Sequence, residues 1–123
     1  MGMSRVERAR ELQDRAKKFA LRIIRAFARL PRSEEARVLG RQFLRSGTSV
    51  AANYRAACRA RSAADFISKI SVVVEEVDET LFWLELIVEA RLVPAKVVGS
   101  LIIECEELLR IFSASLATAK ANR

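Results

Sequence analysis

Between Ser62 and Val93 the chain carries neither glycine nor proline, and its apolar residues return every three or four positions. Phe66, Ile70, Val73, Val77, Leu84 and Val88, with Thr80 or Leu81 completing the series, therefore fall on one face of a helix. Nothing within the stretch breaks a helix. Ser62 stands where an N-cap is needed, and Asp65, three residues on, places a carboxylate in the first turn, where the helix dipole favours it.

The rest of the chain repeats this pattern, and no segment reads as a strand. A first helix is predicted from about Arg5 to Leu30, with Leu12, Ala16, Phe19, Ile23, Phe27 and Leu30 as its apolar line. Pro31 ends it, because a residue before proline is driven out of the helical region. Ser33 caps the next helix, with Glu34 and Glu35 in its first turn. Its core line is Ala36, Leu39, Phe43, Val50, Tyr54 and Ala57. Pro94 suits the first turn of a last helix, where its missing N–H does no harm. That helix presents Val98, Leu101, Cys105, Leu108 and Phe112. Helices at about 5–30, 34–60, 62–91 and 94–119, joined by short connections, make antiparallel neighbours. The expected fold is all-α, an antiparallel up-down-up-down four-helix bundle forming one domain over residues 1–123.

The second helix contains a run of small residues, Gly47, Thr48, Ser49, Ala51 and Ala52. Glycine costs a helix interior about 1 kcal/mol relative to alanine. A helix that accepts this gains close approach to a neighbour. Asn53 lies beside the apolar line of Val50, Tyr54 and Ala57, so it is expected to make a structural hydrogen bond that fixes helix register.

LRSGTSVAANYRAA, RSAADFISKI and EEVDETLFWLEL, with Leu30-Pro31 followed by Glu34-Glu35, resemble the bacterial four-helix-bundle family first noted as products of intervening sequences in 23S rRNA genes. The resemblance runs from about Leu12 to Leu116. It implies an antiparallel four-helix bundle and assembly as a homopentamer. Most such proteins have no established activity. A distant relative of the family, the accessory protein of diversity-generating retroelements, is a basic pentamer that binds nucleic acid and a reverse transcriptase.

The chain has no histidine, which removes the commonest general base and the commonest metal ligand together. There is no glycine-rich phosphate loop and no pairing of serine or cysteine with histidine, so the expectation is a protein that is not an enzyme and takes no cofactor. The acids Glu75, Glu76, Asp78 and Glu79 lack the Glu-x-x-His partners of di-iron bundles, and no metal site is expected. Cys58 and Cys105 stand in no metal-ligand spacing, each on an apolar helical face. They read as reduced core cysteines of a cytoplasmic protein. The charged N-terminus predicts no signal peptide, and no apolar run approaches membrane-spanning length.

Charge is unevenly shared. Residues 1–30 carry nine Lys or Arg against three Asp or Glu, residues 31–60 six against two, and residues 61–90 two against seven. Arg15, Lys18, Arg22, Arg25 and Arg29 recur by three and four on the first helix, and Arg8 extends the row. With no obvious acidic partner, this stripe is the candidate RNA- or DNA-binding face, since each cation there can displace a counterion from a phosphate backbone. Few aromatics accompany it, so base stacking is not expected. A second row, Arg37, Arg41, Arg45, Arg55 and Arg59, follows the next helix. In an antiparallel hairpin Arg45 meets Asp78 and Glu79, and Arg37 and Arg41 lie near Glu85. Asn53, Arg45, Glu75 and Glu79 are accordingly read as structural polar residues.

The third helix shows a further apolar line. Val72, Trp83 and Ile87 lie off its main face, and Phe82 lies off both. A helix apolar on two sides is usually buried on two sides, and these four residues are the candidate interface of a homo-oligomer, a pentamer by resemblance. The functional expectation is a non-enzymatic oligomer that binds RNA or DNA phosphates without reading sequence. The alternative is a protein-binding adaptor or scaffold with an unidentified protein partner and no nucleic-acid role.

Overall fold

The computed structural model describes residues 2–123. Helices α1 (Arg5–Ala28), α2 (Glu34–Cys58), α3 (Ala63–Glu89) and α4 (Ala95–Ala121) form an antiparallel four-helix bundle. Each helix packs on its neighbours in sequence, and α4 returns to meet α1, more loosely than the other pairs meet. α1 and α3 occupy opposite corners, as do α2 and α4.

Local chemistry sets the ends. Ser4 and Glu7 make a reciprocal capping box at the start of α1. Ser33 Oγ accepts the Ala36 N–H at 3.3 Å, and Ser62 Oγ accepts the Asp65 N–H at 3.0 Å. α1 stops at Ala28, short of Leu30, because its last turn tightens: the Arg29 and Leu30 N–H groups reach back three residues, to Ala26 and Phe27. α3 ends in a Schellman arrangement, the Leu92 N–H bonding to the Ile87 carbonyl at 3.1 Å and the Arg91 N–H to Val88 at 2.9 Å. Arg91 takes the left-handed conformation this needs, at φ 59°.

The core on α3 is Ile70, Val73, Val77, Thr80, Leu84 and Ile87. This alternates steps of three and four, the heptad repeat of helices packed nearly parallel. Two sequence expectations are thereby corrected. Ile87 is a core residue, 1 % exposed, and does not belong to a second apolar face. Val88, expected in the core line, packs at its edge. A 3.6-residue count drifts toward Val88 by the end of a long helix, whereas the bundle holds the 3.5-residue seam on Ile87.

Opposite Thr80 lies Ser46, both fully buried. Thr80 Oγ1 lies 2.9 Å from Ser46 Oγ and 2.7 Å from the Glu76 carbonyl, either of which can accept its one proton, while the Ser46 hydroxyl donates to the Phe43 carbonyl at 3.3 Å. Each hydroxyl has a partner in the other or in a backbone carbonyl of its own helix, so their burial avoids the penalty of unpaired hydroxyls. Gly47 sits next to Ser46, and a Cβ there would come within 2.7 Å of the Ile23 side chain. The absent side chain is what lets α1 and α2 approach so closely.

Candidate nucleic-acid interface

The expected stripe on α1 divides into parts with different fates. Arg15 is engaged by α4. Its Nε and Nη2 donate to the two Glu104 carboxylate oxygens at 2.8 and 2.6 Å, and Nη2 also donates to Glu107 at 2.7 Å. This corrects the expectation that the stripe has no acidic partner. The forked guanidinium matches the carboxylate, and Glu107, one turn on from Glu104, adds a second charge. The Glu104 bond holds the Arg15 guanidinium above its ordinary range, and the same bond holds the Glu104 carboxyl below its ordinary 4.5.

Glu104 therefore binds a proton less readily in the folded chain than in the unfolded one. Its contribution to stability is complete above its ordinary value and is lost as pH falls through the lower, folded one. Glu104→Gln is expected to cost about 1–2 kcal/mol near neutral pH. The gap between parent and variant, followed by urea unfolding, is expected to narrow as pH falls below 4.5 and through the lower value of the folded carboxyl. A gap that persists unchanged there would show that the ion pair does not contribute as described.

Arg22 donates to Ser100 Oγ at 2.8 Å and is only half-exposed. Lys18 pairs with Asp14 of its own helix at 3.2 Å, both well exposed, an arrangement worth little. Arg8, Arg25 and Arg29 are exposed and enter no ion pair among the described residues. Arg22, Arg25 and Arg29, with Ala26, line a shallow cleft of about 270 Å³ whose other wall is Val97 and Leu101 of α4. No carboxylate lines it. The structure thus gathers the C-terminal half of the stripe around one cleft, while Arg15 is held by Glu104 and Glu107, and Arg22 also acts on the Glu104 charge.

On the α2–α3 seam Arg45 bonds to Glu79, and its Nη1 lies 3.5 Å from Glu76. Glu76 takes the place expected of Asp78, which is exposed, because residues three apart on α3 share the face toward α2. Arg37 and Arg41 are exposed and form no ion pair with Glu85 among the described residues, and Glu75 is likewise unpaired there. Asn53 is half-buried. Its amide lies at the edge of the α2 core line, where water can reach it.

Of the expected apolar interface, Val72 and Phe82 are on the surface, 39 % and 53 % exposed. Trp83 is half-buried against the core. Its ring meets Phe82 edge-on at 5.1 Å, and its Nε1–H donates to Glu79 at 3.1 Å. Ile87 drops out, as described above.

Both cysteines are free thiols. Burial pushes the Cys105 thiol up to about 12, and it donates weakly to the Val77 carbonyl at 3.5 Å. Burial likewise raises Cys58 and the Tyr54 phenol. Neither thiol has the depressed pKa of a nucleophile. Among the described residues no three His, Cys, Asp or Glu side chains converge as metal ligands, and no helix is long and apolar enough to cross a membrane.

Residues 8–114 match the family model described as 23S rRNA-intervening sequence protein. The fold is similar to the crystal structure of a protein of unknown function from the S23 ribosomal protein family of Bacteroides thetaiotaomicron, at 33 % identity and a TM-score of 0.79. That similarity covers 85 % of this chain and 96 % of the other. No curated protein matches the sequence.

Proposed function

From a chain that belongs to the 23S rRNA-intervening sequence protein family, we propose a non-enzymatic homo-oligomer whose α1 face holds RNA or DNA by its phosphates. The observation that carries this reading is the cleft of Arg22, Arg25 and Arg29, three guanidinium groups with no carboxylate in the lining. Arginine presents a planar fork of donors that suits phosphate oxygens. The absence of aromatic rings from the lining argues for backbone contact without base readout.

Assembly is supported by the outer face of α3, where Val72 and the Phe82–Trp83 pair present apolar surface to solvent. Because α1 and α3 stand at opposite corners, an interface on α3 leaves the arginine cleft facing outward. The family resemblance points to a pentamer.

Native mass spectrometry at low salt, paired with titration of a labelled single strand, tests both halves. Arg25→Glu combined with Arg29→Glu is expected to weaken strand binding more than about tenfold and to reduce the salt slope by about 0.7 per lost contact. Undiminished binding would remove the cleft from the interface and favour the adaptor reading. Phe82→Glu is expected to lower the assembled mass, and retention of the parent's mass would place the interface elsewhere.

A further inference from the structure

A second basic groove lies on the other side of α1. Arg10, Gln13, Asp14 and Lys17 form one wall, and Ala51, Ala52, Arg55 and Arg59 of α2 form the other. Its volume is about 450 Å³. All four cations are exposed, and none makes an ion pair among the described residues. The one carboxylate, Asp14, is paired with Lys18.

This seam differs from its neighbours. Arg15 with Glu104 and Glu107 bridges α1 to α4, and Arg45 with Glu76 and Glu79 bridges α2 to α3. Between α1 and α2 no ion pair crosses the seam among the described residues, and the only carboxylate in the lining, Asp14, pairs within its own helix. The close contact at Gly47 holds the two walls together, and their four exposed cations outnumber the single carboxylate, so the groove carries a net positive charge that favours an anion. Arg10 and Lys17 are two helical turns apart, about 10 Å, and Arg55 and Arg59 one turn apart, about 6 Å. Charges are thus strung along the groove, and the small side chains of Ala51 and Ala52 let a ligand come close to α2.

We propose that the α1–α2 groove binds a short linear run of phosphate groups, held by Arg10 and Lys17 on one wall and by Arg55 and Arg59 on the other. No aromatic residue lines the groove, so recognition is through the phosphates and not through a stacked base. The run can come from a free polyphosphate or from the backbone of a single strand. This site shares no residue with the Arg22–Arg25–Arg29 cleft and does not rest on it.

The test is calorimetric titration at low salt with tripolyphosphate and, separately, with oligothymidylate. Parent protein is compared with Arg55→Gln/Arg59→Gln and with Arg37→Gln/Arg41→Gln, an equal charge change on exposed positions of the same helix. Tripolyphosphate is expected to bind the parent, the groove variant more than about tenfold more weakly, and the control variant nearly as well as the parent. Oligothymidylate that follows the same order identifies a strand as the source of the phosphates, and oligothymidylate indifferent to the groove variant identifies free polyphosphate. No tripolyphosphate binding, or equal losses in groove and control variants, would overturn the site. Strand binding that depends on Arg25 and Arg29 but not on Arg55 and Arg59, without tripolyphosphate binding, would sink the groove and leave the proposed function standing.

Discussion

Gly47→Val is expected to destabilise the bundle by about 3 kcal/mol or more. A Cβ at this position would lie 2.7 Å from both Cγ1 and Cγ2 of Ile23 and 2.9 Å from its Cδ1. Ile23 is fully buried, and its Cγ2 sits on a short, stiff branch that cannot swing aside. Alanine at position 47 sets two effects against each other. Its helix propensity adds about 1 kcal/mol, whereas overpacking costs about 1–3 kcal/mol. With three Ile23 atoms inside 3 Å, the steric term wins, and Gly47→Ala is also expected to lose stability. Valine adds two methyl groups to the same clash. Urea unfolding measures both. Ile23→Ala in the Gly47→Val background is expected to recover part of the loss, because the two residues compete for one space. Gly40 provides the contrast. A Cβ there meets Leu30 Cδ1 at 2.8 Å and the Phe27 ring edge, far ends of half-exposed side chains that can move. Gly40→Ala is therefore the milder change, and equal effects at the two glycines would contradict this account.

Phe112→Ala is expected to cost about 3–5 kcal/mol, the range for emptying a buried aromatic site. Phe112 is fully buried on α4, and its ring lies 5.0 Å from that of Tyr54, tilted by 44°. The contact joins α4 to α2, helices that stand at diagonal corners of the bundle. The loss therefore combines the transfer of the ring, the cavity left behind and the aromatic contact, which alone contributes about 0.5–1.5 kcal/mol. Phe112→Leu keeps much of the volume and is expected to lose well under half as much. If chemical denaturation shows less than about 1 kcal/mol for the alanine variant, the site has collapsed and the core is looser than its geometry indicates.

The part of the arginine stripe that was legible is the part governed by spacing within one helix. Steps of three and four place Arg15, Lys18, Arg22, Arg25 and Arg29 near one another on any helix. What Arg15 does depends on Glu104 and Glu107, 89 and 92 residues further on. Only closure of the bundle, which sets α4 against α1, brings them within reach. Arg10 and Lys17 were not singled out as a site. A signal for them existed: the antiparallel register that sets Gly47 on Ile23 also sets Arg59 near Arg10 and Ala52 near Lys17. It could be used only once the contact at Gly47 was fixed.

The sequence by itself determined the four helices, where they start and most of their buried faces. Those follow from caps, prolines and apolar periodicity, interactions that act over a few residues and are written in consecutive letters. Tertiary structure alone decided which of Ile87 and Val88 enters the core, because a bundle imposes a 3.5-residue seam on a helix whose own period is 3.6. It also decided which arginines are neutralised. An ion pair needs its charges within about 4 Å, and that distance is set by the packing of helices remote in sequence, not by the charges each helix carries.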